Sequence, residues 1–273
     1  MPKERLLAWS PGRGLRPAAD TPGGLLAADS WLLRDGCVRG IERHAERFAR
    51  ACAETGIVPA GDVREFWDEA LAALPREGHW FPRAELGIAG PDPLRLRIRP
   101  APAITSEVRV WVSDGPDPRA WPRRKGPDLP ALARLRQEAA GHGAQEALLT
   151  SAEGLVLESA SSSVLWWQDA DLCVPAPALP ILSGVTSALI QEHARDSGVR
   201  VRLRHPSLAD LNGREVWLVN ALHGIRPVTA WEGVPLNAGP ALRATEWRQW
   251  LGGLAEPLPP RNASDDPRME SIT

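Results

Sequence analysis

The sequence predicts an α+β protein of two domains, and three observations predict it. LRLRIRP (94–100) and EVRVWVS (107–113) alternate apolar and polar residues with a period of two, as half-buried strands do. IERHAERFARAC (41–52) instead spaces its apolar residues three and four apart, as an amphipathic helix does. Between the halves, SDGPDPRAWPRR (113–124) carries prolines, a glycine and charges that can continue neither a sheet nor a helix, so it reads as an interdomain linker. The expected division is an N-terminal α/β domain over 1–112, the linker over 113–124, a C-terminal domain over 125–256 and a disordered tail over 257–273.

The elements follow in order. LLAW (6–9) and LLAADSWLLR (25–34) read as strands, and Asp35-Gly36 then supplies the dipeptide favoured in tight hairpins before CVRG. In helix 41–52, Ile41, Ala45, Phe48 and Cys52 share one face. Asp62 is expected to cap a helix running through Leu74. After the linker come a helix over 128–140 and strands at EALLTS, GLVLES, SVLWWQ and DLCVPA. The helix 183–198 has serine at its start and glycine at its end, the usual cap chemistry. VRVRLRH and REVWLVN are further strands, and ALRATEWRQWLGGL (241–254) is a closing amphipathic helix.

Composition narrows the function. A net charge of −2 over 273 residues gives no reason to expect nucleic acid or a membrane surface as partner. No run approaches eighteen apolar residues, so no membrane span is expected. Three dispersed cysteines, Cys37, Cys52 and Cys173, form no zinc or disulfide pattern. With an opening that lacks the apolar run of a signal peptide, they point to a reducing, cytoplasmic setting and no metal. Tyrosine is absent, which excludes mechanisms built on a phenolic hydroxyl. The 12 tryptophans have no explanation in the sequence beyond service as core or interface aromatics.

Only two of the 32 basic residues are lysines, Lys3 and Lys125. A lysine beside a linker is on composition alone a solvated residue. Yet arginine cannot replace an amine that must condense with a carbonyl, because its guanidinium stays protonated and is a poor nucleophile. A Schiff-base role for Lys125, with pyridoxal 5′-phosphate (PLP) as the carbonyl cofactor, would need three further parts. Glu158, at the end of EGLVLES, is a candidate partner for a pyridinium nitrogen. Ser183-Gly184-Val185-Thr186, opening a helix, is a candidate phosphate cradle. Arg47, bordering the apolar face of helix 41–52, is a candidate phosphate clamp. Each has an ordinary alternative: a solvated strand-end acid, a plain helix cap, an arginine lying along a helix edge.

In this order the residues resemble the class IV, fold-type IV PLP enzymes, which include branched-chain and D-amino-acid aminotransferases and 4-amino-4-deoxychorismate lyase. The likeness spans roughly residues 5 to 250. HAERF (44–48) resembles the family's His-x-x-Arg-Leu motif, whose arginine, here Arg47, holds the phosphate. Lys125 falls where the Schiff-base lysine stands. EGLVLESASSSVLWW (153–167) resembles the Glu-Gly-x-Val-x-Glu stretch, with Glu158 as pyridinium partner. LSGVTSALI (182–190) resembles the phosphate loop, with Gly184, Val185 and Thr186 at cofactor positions. NALHGIRPV (220–228) resembles a pattern of the lyases, where aminotransferases more often carry threonine at Ala221. The chain departs from the family at GGLLAADSW (23–31), where Asp29 and Ser30 stand nearest the lyases' polar positions. It also has Ser163 for the usual asparagine and Ser183 for the usual proline, and Pro130 where the aminotransferases' tyrosine region lies.

The resemblance implies a D-amino-acid aminotransferase-like fold with a smaller N-terminal α/β domain and a C-terminal pseudo-barrel. It implies a homodimer with its site at the domain interface and PLP as cofactor, held by Arg47, Lys125, Glu158, Ser163, Gly184, Val185, Thr186, Asn220 and Ala221. The reaction implied first is elimination of pyruvate from aminodeoxychorismate to give 4-aminobenzoate, with Lys125 as the catalytic base. Transamination of a branched-chain or D-amino acid comes second, and a non-catalytic member third. A carboxylate-bearing substrate would call for cationic anchors, for which Arg97, Arg99, Arg109 and Arg226 are candidates.

Overall fold

The computed structural model describes residues 3–20, 23–88 and 90–260. The chain folds into two compact units, one formed by the segment up to Ala101 with the segment from Ala255, the other by Pro102–Leu254.

The first unit begins with strands β1 (Arg5–Ser10), β2 (Gly14–Pro17), β3 (Leu25–Ser30), β4 (Leu33–Arg34) and β5 (Cys37–Arg39). It continues with helices α1 (Ile41–Ala53) and α2 (Ala60–Ala73) and strands β6 (His79–Trp80), β7 (Arg83–Gly87) and β8 (Leu94–Ile98). The order β2-β1-β8-β7-β3 makes an antiparallel five-stranded sheet. The alternation read at 94–98 is real: Leu94, Leu96 and Ile98 are buried under the helices, while Arg95 and Arg97 face away. Asp35-Gly36 does make the two-residue turn between β4 and β5, with φ of 46° and 75°, values that glycine and aspartate tolerate best. Phe48, Cys52, Phe66, Trp67, Trp9 and Trp31 fill the space between helices and sheet. Several readings differ from the structure: the strand expected over 25–34 is broken at Trp31 and Leu32 into β3 and β4, which belong to different sheets. Helix α2 starts at Ala60 after Pro59, so Asp62 lies inside its first turn, where a carboxylate still favours the helix dipole. Strands β2 and β7 went unread because each is short and polar at alternate positions.

The second unit contains β9 (Val108–Val112), α3 (Leu129–Gly141), β10 (Glu146–Thr150), β11 (Val156–Ser159), β12 (Ser163–Gln168) and β13 (Asp171–Pro175). After them come α4 (Val185–Asp196), β14 (Val201–Arg204), β15 (Val216–Asn220), β16 (Gly224–Glu232) and α5 (Ala244–Gly252). Its eight strands hydrogen-bond in the order β11-β10-β9-β16-β15-β12-β13-β14. Strand β11 at one end also lies against β13 near the other, so the sheet curls into the expected pseudo-barrel. Successive residues of VLWW and VWLV face opposite ways. Val164, Trp166, Val216 and Leu218 enter one cluster, and Leu165, Trp167, Trp217 and Val219 enter another with α4 and α5. Both faces are covered, which is why these strands read as continuous apolar runs.

Strand β9 pairs in parallel with both β10 and β16. It therefore belongs to the second unit, and the division falls near residue 101 instead of 113–124. The segment 113–124 forms no regular element, yet it is held by hydrogen bonds: Asp117 N to Thr150 O at 2.8 Å, and Ala120 N and Trp121 N to the Asp128 carboxylate at 3.0 and 2.8 Å. The final strand, β17 (Ala255–Pro257), pairs with β5, and Leu258 is buried in the first unit's core. The chain up to residue 260 is thus ordered where a tail was expected from 257; residues 261–273 lie outside the described ones. Nine of the 12 tryptophans are buried core residues, which accounts for their number without an interface.

Candidate active site

In the second unit, strand β11 ends at Glu158, Ser159 and a turn of small residues before β12. Glu158 is buried. Its Oε1 accepts hydrogen bonds from Arg119 NH1 and from Leu182 N, the latter at 2.9 Å, and among the described residues its Oε2 accepts none. Burial raises the pKa of Glu158, an effect that Arg119 and the Leu182 N–H oppose without overcoming. Arg119 had no role in the sequence reading. Burial alone would lower its pKa, but Asp117 and Glu158 outweigh that and raise it. Spacing could not have found this contact, because the residues are 39 apart and the segment that carries Arg119 has no periodicity.

Leu182 and Ser183 lead into Gly184, so the N-cap of α4 is the glycine, one residue after the serine expected there. The first N–H groups of α4 therefore have no partner within the helix. Val185 and Thr186 are buried in its first turn. Ser163 lies against Gly184 so closely that a Cβ added to the glycine would meet Ser163 Oγ at 2.5 Å. Ser163 is registered opposite Val219, beside Asn220. Asn220 Nδ2 donates to Ser162 Oγ at 2.9 Å, and its Oδ1 accepts from Leu222 N and His223 N at 3.1 and 2.8 Å, closing the turn that includes Ala221. Glu158, Ser163, Gly184, Val185, Thr186 and Asn220 are therefore brought together at one end of the curled sheet.

Lys125 is half-buried in the bend before α3. The bend is fixed on both sides. Arg119 reaches Glu158, Arg123 donates to Pro177 O and Ala178 O at 2.9 and 2.8 Å, and Asp128 turns back onto Ala120 and Trp121.

Arg47 lies in the first unit. Its Nε and NH2 donate to Asp29 Oδ2 and Oδ1 at 2.7 and 2.8 Å, a two-pronged pairing, while His44 Nδ1 lies 2.6 Å from Asp29 Oδ1. Asp29 is fully buried. Burial would raise its pKa, but Arg47 and His44 prevail and hold it well below the usual carboxylate range. The sequence placed His44, Arg47 and Asp29 in neighbouring motifs without linking them.

The arginines considered as carboxylate anchors are placed differently from one another. Arg97 is engaged by Glu85, Glu4 and Asp20. Arg226 is buried and pairs with Glu146 at 3.1 Å, and Arg109 pairs at the surface with Glu232. Arg99 donates to Phe81 O at 2.9 Å and stacks over that ring. Among the described residues no cluster of side chains could hold a metal ion, and no helix is long and apolar enough to cross a membrane.

A family model described as amino-transferase class IV matches residues 27–231. A Mycobacterium tuberculosis protein named bifunctional aminodeoxychorismate lyase / D-amino acid transaminase is 28% identical over 226 residues, covering 71% of this chain and 77% of its own. The PLP-bound form of a hypothetical aminotransferase from Mycobacterium tuberculosis superposes with a TM-score of 0.75 at 21% identity, covering 92% of this chain and 98% of that one. The branched-chain amino acid aminotransferase of Escherichia coli gives a TM-score of 0.75 at 18% identity, over 92% and 94% of the two chains.

Proposed function

The chain belongs to the class IV aminotransferase family, and on that premise we propose that it is a PLP enzyme acting as an aminodeoxychorismate lyase. The observation that supports cofactor binding is the end of the curled sheet. There a buried carboxylate has one oxygen that accepts no hydrogen bond among the described residues, next to the N-terminus of α4, whose N-cap is a glycine packed closely against Ser163 Oγ. These are the features that a pyridine nitrogen and a phosphate require, so the residues present fit the cofactor.

Glu158 Oε2 would accept a hydrogen bond from the protonated ring nitrogen. Gly184, Val185 and Thr186 would bind the phosphate through backbone N–H groups and the threonine hydroxyl. Ser163, Asn220 and Ala221 would line the same end. Arg47, whose guanidinium is held by Asp29 within the first unit, is the phosphate guanidinium by family likeness alone. When bound, PLP supplies an electron sink for a carbon next to the substrate amine. Lys125 Nζ would hold the cofactor covalently, then as a free amine take the proton from the ring carbon that bears the substrate's amino group. With that proton removed, the bond from the ring to the enolpyruvyl oxygen breaks. Pyruvate leaves after gaining a proton, and the ring becomes aromatic with its amine retained. The lyase reading rests on the Asn220-Ala221-Leu222 pattern and on the name of the Mycobacterium tuberculosis relative. The same name favours transfer of an amino group from a D-amino acid as the second reading, through the same residues. We infer a homodimer by family likeness alone, for which light scattering gives a direct measure.

The test is to load the protein with PLP, desalt it and record its near-visible absorbance before and after borohydride, with Lys125→Ala alongside. A band that borohydride removes and that K125A lacks is the expected result; a colourless protein refutes the assignment. Pyruvate release from aminodeoxychorismate, against amino transfer from D-alanine, then separates the two reactions.

A further inference from the structure

Glu158 does not face its neighbours as a simple ion pair. Arg119 is buried, with its side chain 5% exposed, and it carries two carboxylates. Its Nε lies 2.9 and 3.0 Å from the two oxygens of Asp117, and NH2 lies 2.8 Å from Asp117 Oδ2. NH1 donates to Glu158 Oε1, and NH2 also reaches Pro180 O at 3.1 Å. Asp117 is only 9% exposed, and its backbone N–H is tied to Thr150 O. Two carboxylates against one guanidinium leave one negative charge in a place with little water. The charged groups that act most strongly on Glu158 are Arg119 and Asp117, both from the 113–124 segment. A lone Arg119–Glu158 pair would already be neutral and would have no use for a further cation. With Asp117 present these three groups are one positive charge short, and among the described residues the carboxylate oxygen that accepts no hydrogen bond is Glu158 Oε2.

We propose that Asp117 and Arg119 are positioning residues: Asp117 neutralises Arg119, so that the charge of Glu158 is left for the protonated ring nitrogen of bound PLP. The inference rests on the PLP reading above. Arg119 fixes the Glu158 carboxylate through Oε1, so the acceptor left over is always Oε2. Asp117 sets the charge balance, although it is not itself proposed to touch the cofactor.

The test uses the holoenzyme loaded with PLP labelled with ¹⁵N in the ring, whose nitrogen shift reports its protonation as pH is varied. In Asp117→Asn, Arg119 is free to compensate Glu158, and the ring nitrogen should release its proton at a pH lower by roughly one unit or more, a tenfold change in proton affinity. In Arg119→Gln the cluster becomes more negative, and the proton should be held to higher pH than in the wild type. Opposite shifts are what an electrostatic role requires, since loosened packing would move both variants the same way. Equal titrations in wild type and D117N, or shifts of one sign in both variants, overturn the proposal while leaving the PLP assignment intact. A wild-type protein that takes up no PLP overturns both. Should D117N bind no cofactor, the Glu158 carboxyl carbon is followed by ¹³C in the apoprotein. There its midpoint must fall relative to wild type, because a neighbouring negative charge has gone; no fall overturns the proposal.

Discussion

Substituting Gly184 by alanine tests the cradle at one atom. The glycine has φ −74° and ψ 126°, which any residue adopts, so backbone strain contributes nothing to the outcome. What remains is steric: the new Cβ would sit 2.5 Å from Ser163 Oγ, while Ser163 Cβ at 3.7 Å is in ordinary contact. The oxygen must withdraw by more than half an ångström for normal contact, or the helix start must move. Overpacking of this kind costs about 1–3 kcal/mol, and because the obstructing atom is the end of a short side chain the lower figure applies. Gly184→Ala should therefore lose about 1 kcal/mol of stability, measured by urea denaturation. By the same amount PLP should bind roughly fivefold more weakly. Ser163→Ala removes the obstructing oxygen, so S163A/G184A should recover most of the loss seen in G184A alone. If the second change restores nothing, the glycine is not there to accommodate Ser163, and the contact does not shape the cradle.

Two further outcomes follow from the buried charges. Asp29→Asn should destabilise the first unit by about 3 kcal/mol, since it removes the buried negative charge and one of the two oxygens that Arg47 and His44 share. The pKa of Asp29 is depressed below its unfolded value near 3.8, so its contribution is present above that pH and lost as pH falls through the folded value. The stability gap between wild type and D29N should be full at neutral pH and should narrow below about pH 4; a gap independent of pH would refute the pairing. In the second unit, Arg226→Met should cost about 3–5 kcal/mol because it strands Glu146, whose side chain is 2% exposed. Adding Glu146→Gln should recover at least half of that in chemical denaturation, and additive losses would show that the two side chains do not act as a pair.

What the sequence disclosed and what it hid divide by the range of the interactions. The hairpin at Asp35-Gly36, the face of α1 and the alternation of β8 depend on neighbours within a few residues, and each was legible. Strand β16 was not read from GIRPVTAWE, because a proline and a threonine interrupt its pattern. Its place between β9 and β15 is decided by partners far along the chain. The segment 113–124 looked like a linker because its order comes from Asp117, Arg119 and Asp128 bonding to distant groups. Local propensity carries no trace of such bonds. The positions of Lys125, Glu158, Gly184 and Arg47 could be picked out by likeness of motif. That Asp29 fixes Arg47 and that Arg119 fixes Glu158 became visible only in three dimensions.

The near absence of lysine now has a physical reading. Arg47 meets both oxygens of Asp29, Arg119 serves two carboxylates and two carbonyls at once, and Arg97 serves Glu85, Glu4 and Asp20. Each task uses the rigid, many-donor fork of a guanidinium in a poorly hydrated place, where the compact ammonium of lysine would leave acceptors unmet. Arginine substituted for lysine at such sites is a gain. At residue 125 the preference reverses, because a group that must lose its proton to act as nucleophile and base cannot be a guanidinium. Arg123 and Arg124 stand immediately before Lys125, so basic charge alone was already supplied there. A Lys125→Arg variant keeps that charge and should be as inactive as K125A; if it retains turnover, charge was the requirement and the assignment of Lys125 as the reacting amine is wrong.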